Sequence, residues 1–230
     1  LAHVRNATAL IETVHHLSSY ALSDDEAETL SAAREVLVLR RDELAAAETD
    51  LDDKVKLVIA DCRDALVLVE TLDGPSKPAH AARMLGKSWH KGLARGREAL
   101  DACKGEGHGE AFHDLRKAGQ AYWMNLSLLQ EIWPSAFAAK REQAKALVDL
   151  LGHEHDLTEL TALLDREPET FGDGEGQSFL LAIIIRRQQA LRRESLELAT
   201  RVFADDPGRE GAIIEHLWIK AGHVGKRGQR

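Results

Sequence analysis

The chain has 230 residues, 44% of them apolar and 30% charged, with 30 Lys and Arg against 38 Asp and Glu for a formal net charge of −8. That acidic balance argues against indiscriminate nucleic-acid binding, which depends on cations that neutralise phosphates. No apolar run approaches the roughly 20 residues that cross a bilayer; the longest is Phe179–Ile185. Scarce aromatics and abundant Ala, Leu, Glu and Arg favour helices over sheets, so the expected fold class is all-α.

Apolar periodicity and breakers predict eight helices. The first runs from about Val4 to Tyr20 with Leu10, Val14 and Leu17 inward. Ser23-Asp24-Asp25-Glu26 is a capping box that starts the second, which reaches about Ala47. The third spans roughly Leu51 to Thr71 and is expected to bury Val55, Val58, Ile59 and Leu66. Gly74-Pro75-Ser76-Lys77-Pro78 is the clearest internal boundary. The fourth helix covers about Ala79 to Cys103 and ends at Lys104-Gly105-Glu106-Gly107. The fifth follows, with an apolar row at Phe112, Leu115, Gly119, Tyr122, Leu126, Leu129 and Trp133, and stops before Pro134. The sixth takes about Ser135 to Asp165 with a bend expected near Gly152. Glu167–Gln177 is polar and glycine-rich and is expected to be a mobile loop. The seventh runs from Phe179 to Phe203 and the eighth from about Arg209 to Ala221, with a frayed, basic tail over Gly222–Arg230.

Charge is unevenly spread. Residues 1–73 hold 7 Lys and Arg against 16 Asp and Glu, residues 74–145 hold 12 against 7, and residues 146–230 hold 11 against 15. The middle third can therefore form a local anion site within an acidic protein. Cys62 and Cys103 show no metal or redox spacing and read as reduced thiols of a cytosolic protein. The chain opens at Leu1 with no Met, so a truncated N-terminus is expected, and localisation is not read from its start.

Two helices carry cations in an order that asks for an anion. On the fourth, Arg83, Lys87, Lys91 and Arg95 recur every four residues with His90 beside them. Each such like-charge pair costs an isolated helix about 0.2–0.5 kcal/mol. On the fifth, His113, Arg116, Lys117 and Gln120 share a face, with Asp114 about a quarter-turn away. Arg offers phosphate oxygens a planar fork, Lys a mobile point charge, and His a donor that strengthens on protonation. A third cluster, Arg186, Arg187, Arg192 and Arg193 on the seventh helix, reads equally well as a solvated surface balanced by Glu194 and Glu197. His153-Glu154-His155-Asp156 invites a metal reading, but histidines two apart on a helix diverge by about 200° and cannot share one ion; no metal and no cofactor are expected. No phosphate loop, dinucleotide fingerprint or nucleophile elbow is present.

With these residues in view, the chain resembles the CHAD family, the conserved histidine α-helical domain. His113-Asp114-Leu115-Arg116-Lys117 is similar to that family's histidine motif. Leu151-Gly152-His153-Glu154-His155-Asp156 is similar to its Leu-Gly-x-x-x-Asp element, and Arg186-Arg187-Gln188-Gln189-Ala190-Leu191 to its later Arg-Arg-x-x-x-Leu helix. The resemblance extends over about residues 1–222 and is strongest from residue 79. It implies one domain built of two antiparallel helical-bundle halves related by a pseudo-two-fold, residues 1–73 and 79–222. Basic side chains of both halves would line a groove or channel holding inorganic polyphosphate. The residues assigned to the polyanion are then Arg5, Arg41, Arg83, Lys87, Lys91, His113, Arg116, Lys117, Arg186 and Arg193. The family is regarded as non-catalytic, is often fused behind a triphosphatase domain, and in some members gathers on polyphosphate granules, so a cytoplasmic location, on granules or not, is expected. Gln120 and Trp123 stand where the family usually carries Lys or Arg. Weak internal similarity accompanies the resemblance: Arg5–Ile11 can be laid on Trp123–Leu129, which puts the first half's own histidine motif before Leu1.

Two further readings compete. One is a structural or protein-interaction helical domain whose acidic second and third helices form the partner surface. The other is an enzyme acting on phosphate esters through His113. A triphosphatase would need a Glu-x-Glu-x-Lys strand; Glu26-Ala27-Glu28-Thr29-Leu30 lacks the Lys and falls in a predicted helix.

Overall fold

The computed structural model describes residues 2–75, 77–105, 109–172 and 174–225. They form eight α-helices, α1 (Ala2–Ser18), α2 (Asp24–Ala46), α3 (Leu51–Glu70), α4 (Pro78–Lys104), α5 (Gly109–Leu128), α6 (Pro134–Arg166), α7 (Gly174–Val202) and α8 (Pro207–Gly225), with short 3-10 turns at Gln130–Ile132 and Pro168–Phe171. No strand occurs among the described residues, so the fold is all-α. The expected tail falls partly at residues 226–230, outside the described residues, as do Ser76 of the boundary and Glu106 and Gly107 after α4.

Local signals fix the helix starts. The Ser23 hydroxyl accepts from the Glu26 amide at 3.2 Å, while a Glu26 carboxylate oxygen takes the Leu22 amide at 2.8 Å. The capping box is thus closed one residue earlier than the usual reciprocal bond. Pro78 sits in the first turn of α4, where its missing N–H costs nothing.

The chain divides into two compact units, and neither is a continuous stretch. Unit 1 is Leu1–Asp73 with Asp156–Gln189; unit 2 is Gly74–His155 with Ala190–Arg230. The break at residues 73 and 74 coincides with the glycine- and proline-rich boundary, but α6 and α7 each contribute to both units, so 79–222 is not one half. In unit 1 the buried side chains include Val14 and Leu17 of α1, Leu30 and Leu37 of α2, Leu157 and Leu160 of α6, and Leu180 and Ile184 of α7. In unit 2 the core gathers Trp89, Leu93, Phe112, Leu115, Tyr122, Leu126, Phe137, Leu147, Leu151 and Phe203. Trp89 meets Tyr122 edge-on at 5.6 Å and stacks on Phe137 at 5.9 Å. The apolar row predicted for α5 is therefore core as far as Leu126. Trp133 leaves it: α5 ends at Leu128, the 3-10 turn redirects the chain, and the indole is exposed.

Two other expectations are corrected. No side chain of α3 is buried; Val55, Val58, Ile59 and Leu66 all face solvent. The segment 167–177 is more ordered in secondary structure than a loop. Pro168–Phe171 is a 3-10 turn and α7 begins at Gly174, with Asp173 outside the described residues. Gln177 reaches back from α7 to donate to the Gly172 carbonyl at 2.9 Å and to the Pro168 carbonyl. Gly172 takes φ of +94° there, a conformation open chiefly to glycine.

Candidate functional site

Unit 2 holds the histidine motif, and the helix geometry of α5 splits it. His113 and Arg116, one turn apart, are half-buried, and His113 Nδ1 and Arg116 Nε are both sealed from solvent with no hydrogen-bond partner. The His113 ring lies 5.4 Å from that of His155 on α6. Lys117 points elsewhere: it is exposed, pairs with Asp114 at 3.3 Å, and lines a groove of about 620 Å³ between α4 and α5 with Arg95, Glu98 and Asp114. The His, Arg and Lys expected on one face therefore serve two surfaces. Asp114, expected to stand aside, partly neutralises one of them.

Around His113 and Arg116 the structure adds residues that the motif did not name. Arg192 of α7 sits 4.9 Å from the Phe112 ring centroid, over the residue beside His113. Its Nε donates to Glu154 Oε1 at 2.8 Å, and Glu154 is only 3% exposed. A buried carboxylate with an Arg fork is stable only as a pair, so Glu154 fixes where Arg192 stands. Cys103 belongs to the same neighbourhood. Burial, reinforced by the Glu154 charge and opposed by Arg192, pushes its thiol up to about 11, so it stays protonated and a poor nucleophile.

The cation row of α4 is as regular as the sequence suggests. Arg83, Lys87, Lys91 and Arg95 are exposed, and no acidic side chain pairs with any of them among the described residues. Trp89, from the opposite side of the helix, donates to Glu210 at 3.1 Å. Lys140 binds Asp205 and Glu210 in the same cluster; burial opposes its charge, but those two carboxylates more than offset it and raise its pKa. That lysine is a structural counter-ion and not a free cation.

The remaining assigned residues are dispersed. In unit 1, Arg186 makes a two-pronged bond to Glu26, both arms 2.7 Å long, and Arg41 is engaged with Asp42. Arg5 is exposed on α1 and Arg193 is exposed in unit 2. Arg187 lies over the Tyr20 ring at 3.9 Å. Sequence reasoning named Glu154, His155 and Arg192 in other clusters and did not bring them to His113, although Glu154 carried a signal. It falls in the apolar stripe Leu147, Leu151, Glu154, Leu157 of α6, where an acid must be buried and therefore paired. Among the described residues no three His, Cys, Asp or Glu side chains converge to hold a metal ion, and no helix is long and apolar enough to cross a membrane.

Comparison with protein families matches the CHAD domain over residues 1–165. The match contains the histidine motif and the Leu151–Asp156 element and stops short of Arg186–Leu191. Comparisons with curated proteins and with solved structures returned no match. A family match over more than half of the chain, with the histidine helix and the all-α architecture inside it, settles the assignment: the chain belongs to the CHAD domain family.

Proposed function

We propose that the chain binds inorganic polyphosphate, without cleaving it, through basic side chains of unit 2. The observation that carries this reading is the exposed row Arg83, Lys87, Lys91 and Arg95 of α4, four cations one turn apart with no acidic partner among the described residues. Polyphosphate carries roughly one charge per phosphate along a flexible strip, so its recognition needs cations spread over several turns. The unpaired row Arg83, Lys87, Lys91 and Arg95 has that spread. Such a module would meet its ligand in the cytoplasm, on polyphosphate granules or free.

Titration with long-chain polyphosphate at two salt concentrations, with duplex DNA as competitor, tests the reading. Tight, salt-sensitive binding that DNA does not displace is expected. Combining Arg116→Ala with Lys117→Ala should weaken it at least about tenfold while leaving helicity and melting unchanged. Unaltered affinity in that double variant would remove α5 from the site.

A protein-interaction role is the second reading, favoured by one observation: α3 exposes its whole apolar face.

A further inference from the structure

Unit 1 carries a groove that the polyphosphate reading leaves unused. It holds about 850 Å³ between α2 and the start of α7, and its apolar lining includes Ala32, Val36, Phe171 and Phe179. Asp25, Glu28 and Glu175 line it as well, and no Lys, Arg or His does among the described residues. Acids in the first turn of a helix are ordinary, since they complement its dipole. That accounts for Asp25 and Glu175, but Glu28 lies beyond the first turn of α2. None of the three carboxylates is paired with a cation among the described residues.

Two ion pairs fix how those acids are spaced. Arg186 of α7 donates to Glu26 at 2.7 Å, and Arg40 of α2 donates to Glu167, just ahead of α7, at 2.9 Å. The two helices therefore run antiparallel along the groove. Asp25 and Glu28 stand at the end near Ala182, and Glu175 stands at the end near Val36. At 1.5 Å per residue the acidic ends lie about 10 Å apart along the groove, with apolar carbon between them. Carboxylates so separated do not meet on one metal ion, and no three such ligands converge among the described residues. The two hydroxyls of the lining are spent on their own helices. Thr29 donates to the Asp25 carbonyl at 2.9 Å and Ser178 to the Gly174 carbonyl at 2.6 Å. The lining thus offers no free side-chain donor to a peptide carbonyl or a phosphate oxygen.

We propose that this groove binds a linear aliphatic polyamine, with a terminal ammonium at each acidic end and the methylene chain along the apolar lining. An ammonium donates charge-assisted hydrogen bonds to a carboxylate, and the methylenes between ammoniums gain by leaving water. Phe179 lies one turn after Glu175 on α7, and aromatic carbon beside a carboxylate suits an alkylammonium better than a hydrated metal ion. The surrounding field agrees, since unit 1 holds 10 Lys and Arg against 23 Asp and Glu and attracts a polycation. No residue of the cation row on α4 lines the groove, so this site stands or falls without polyphosphate.

The test uses the full chain without polyphosphate. Calorimetric titration with the triamine spermidine should show saturable binding at one site per chain. The four-carbon diamine putrescine, too short to reach both acidic ends, should bind at least about tenfold more weakly. Glu28→Gln combined with Glu175→Gln should cost spermidine at least about tenfold, with helicity retained because both side chains are exposed. Ala32→Phe keeps every charge and fills the groove from an exposed position, and it should weaken binding as much. Asp52→Asn with Asp64→Asn on α3 removes the same charge from unit 1 away from the groove and should leave the affinity within about twofold. No saturable binding at low salt, or equal losses from the α3 pair and the groove pair, overturns the proposal in favour of diffuse counter-ion attraction. Spermidine binding that Ala32→Phe leaves intact, or putrescine binding as tight as that of spermidine, overturns it as well.

Discussion

Two buried glutamates show how much of the chemistry is written in residue positions and how much is not. Glu26 falls in the stripe Glu26, Leu30, Ala33, Leu37 of α2, as Glu154 does in that of α6, and both are buried. Position alone announces that each needs a cation. It does not announce which, because Arg186 lies 160 residues from Glu26 and Arg192 lies 38 from Glu154. The same separation hid Arg192 from any reading of α5. The Glu26 pair has a measurable consequence. The two-pronged Arg186 bond, helped by the Leu22 amide, holds the Glu26 carboxyl down at about 2, against an ordinary value of 4.5. Because the folded-state value is the lower one, the pair stabilises the fold fully above about pH 4.5, and that contribution is lost as the pH falls toward 2. Melting temperature measured across that range should fall for the native chain. Glu26→Gln should start lower at neutral pH and fall with a shallower slope. Equal slopes would mean that the Arg186 bond does not persist in solution.

At the scale of elements, helix existence was legible nearly everywhere, since Ser23, Pro78 and Pro134 punctuate the chain where helices begin or change course. What a helix meets was less legible. The apolar pattern of α3 declares a face that wants burial, but amphipathicity does not say whether the same chain supplies the cover. Segment 167–177 misled for a local reason: Gly174 and Gly176 read as breakers, yet the Gln177 bonds to the Gly172 and Pro168 carbonyls tie the first turn of α7 to the preceding 3-10 turn. Glycines in α4 show the difference that packing makes. A Cβ at Gly86 would lie 2.6 Å from the Gly211 carbonyl oxygen of α8, whereas one at Gly92 would meet nothing within 4 Å. Both are helix-interior glycines, where Ala alone is favoured by about 1 kcal/mol. Gly86→Ala should nevertheless destabilise by about 1–3 kcal/mol, because the obstruction is backbone and can yield only if α4 and α8 separate. Gly92→Ala should be neutral or stabilising. Denaturant unfolding of the two variants decides it, and a Gly86→Ala protein as stable as the parent would mean that the two helices are not in contact through these glycines.

For the whole molecule, the composition of the two units was not legible in the sequence. No breaker marks residues 155–156 or 189–190, where continuous helices pass from one unit to the other. Sorting charge by unit sharpens what the linear thirds only hinted at. Unit 1 holds 10 Lys and Arg against 23 Asp and Glu, a net −13, and unit 2 holds 20 against 15, a net +5. A long polyanion is attracted to the second and repelled by the first, so its cations should come from unit 2. This separates the assigned residues by a quantity that fold-independent affinity loss cannot mimic. Each phosphate contact removed lowers the slope of log affinity against log salt by about 0.7–0.9 for a polyanion of nucleic-acid charge density. Arg83→Ala, Lys87→Ala and Lys91→Ala together should reduce the polyphosphate slope by about two. Arg41→Ala should leave it unchanged, because that guanidinium is already satisfied by Asp42 in an acidic surround. If instead Arg41→Ala flattens the slope and the α4 triple variant does not, the polyanion lies along unit 1, and the unpaired row of α4 is a solvated face with no ligand.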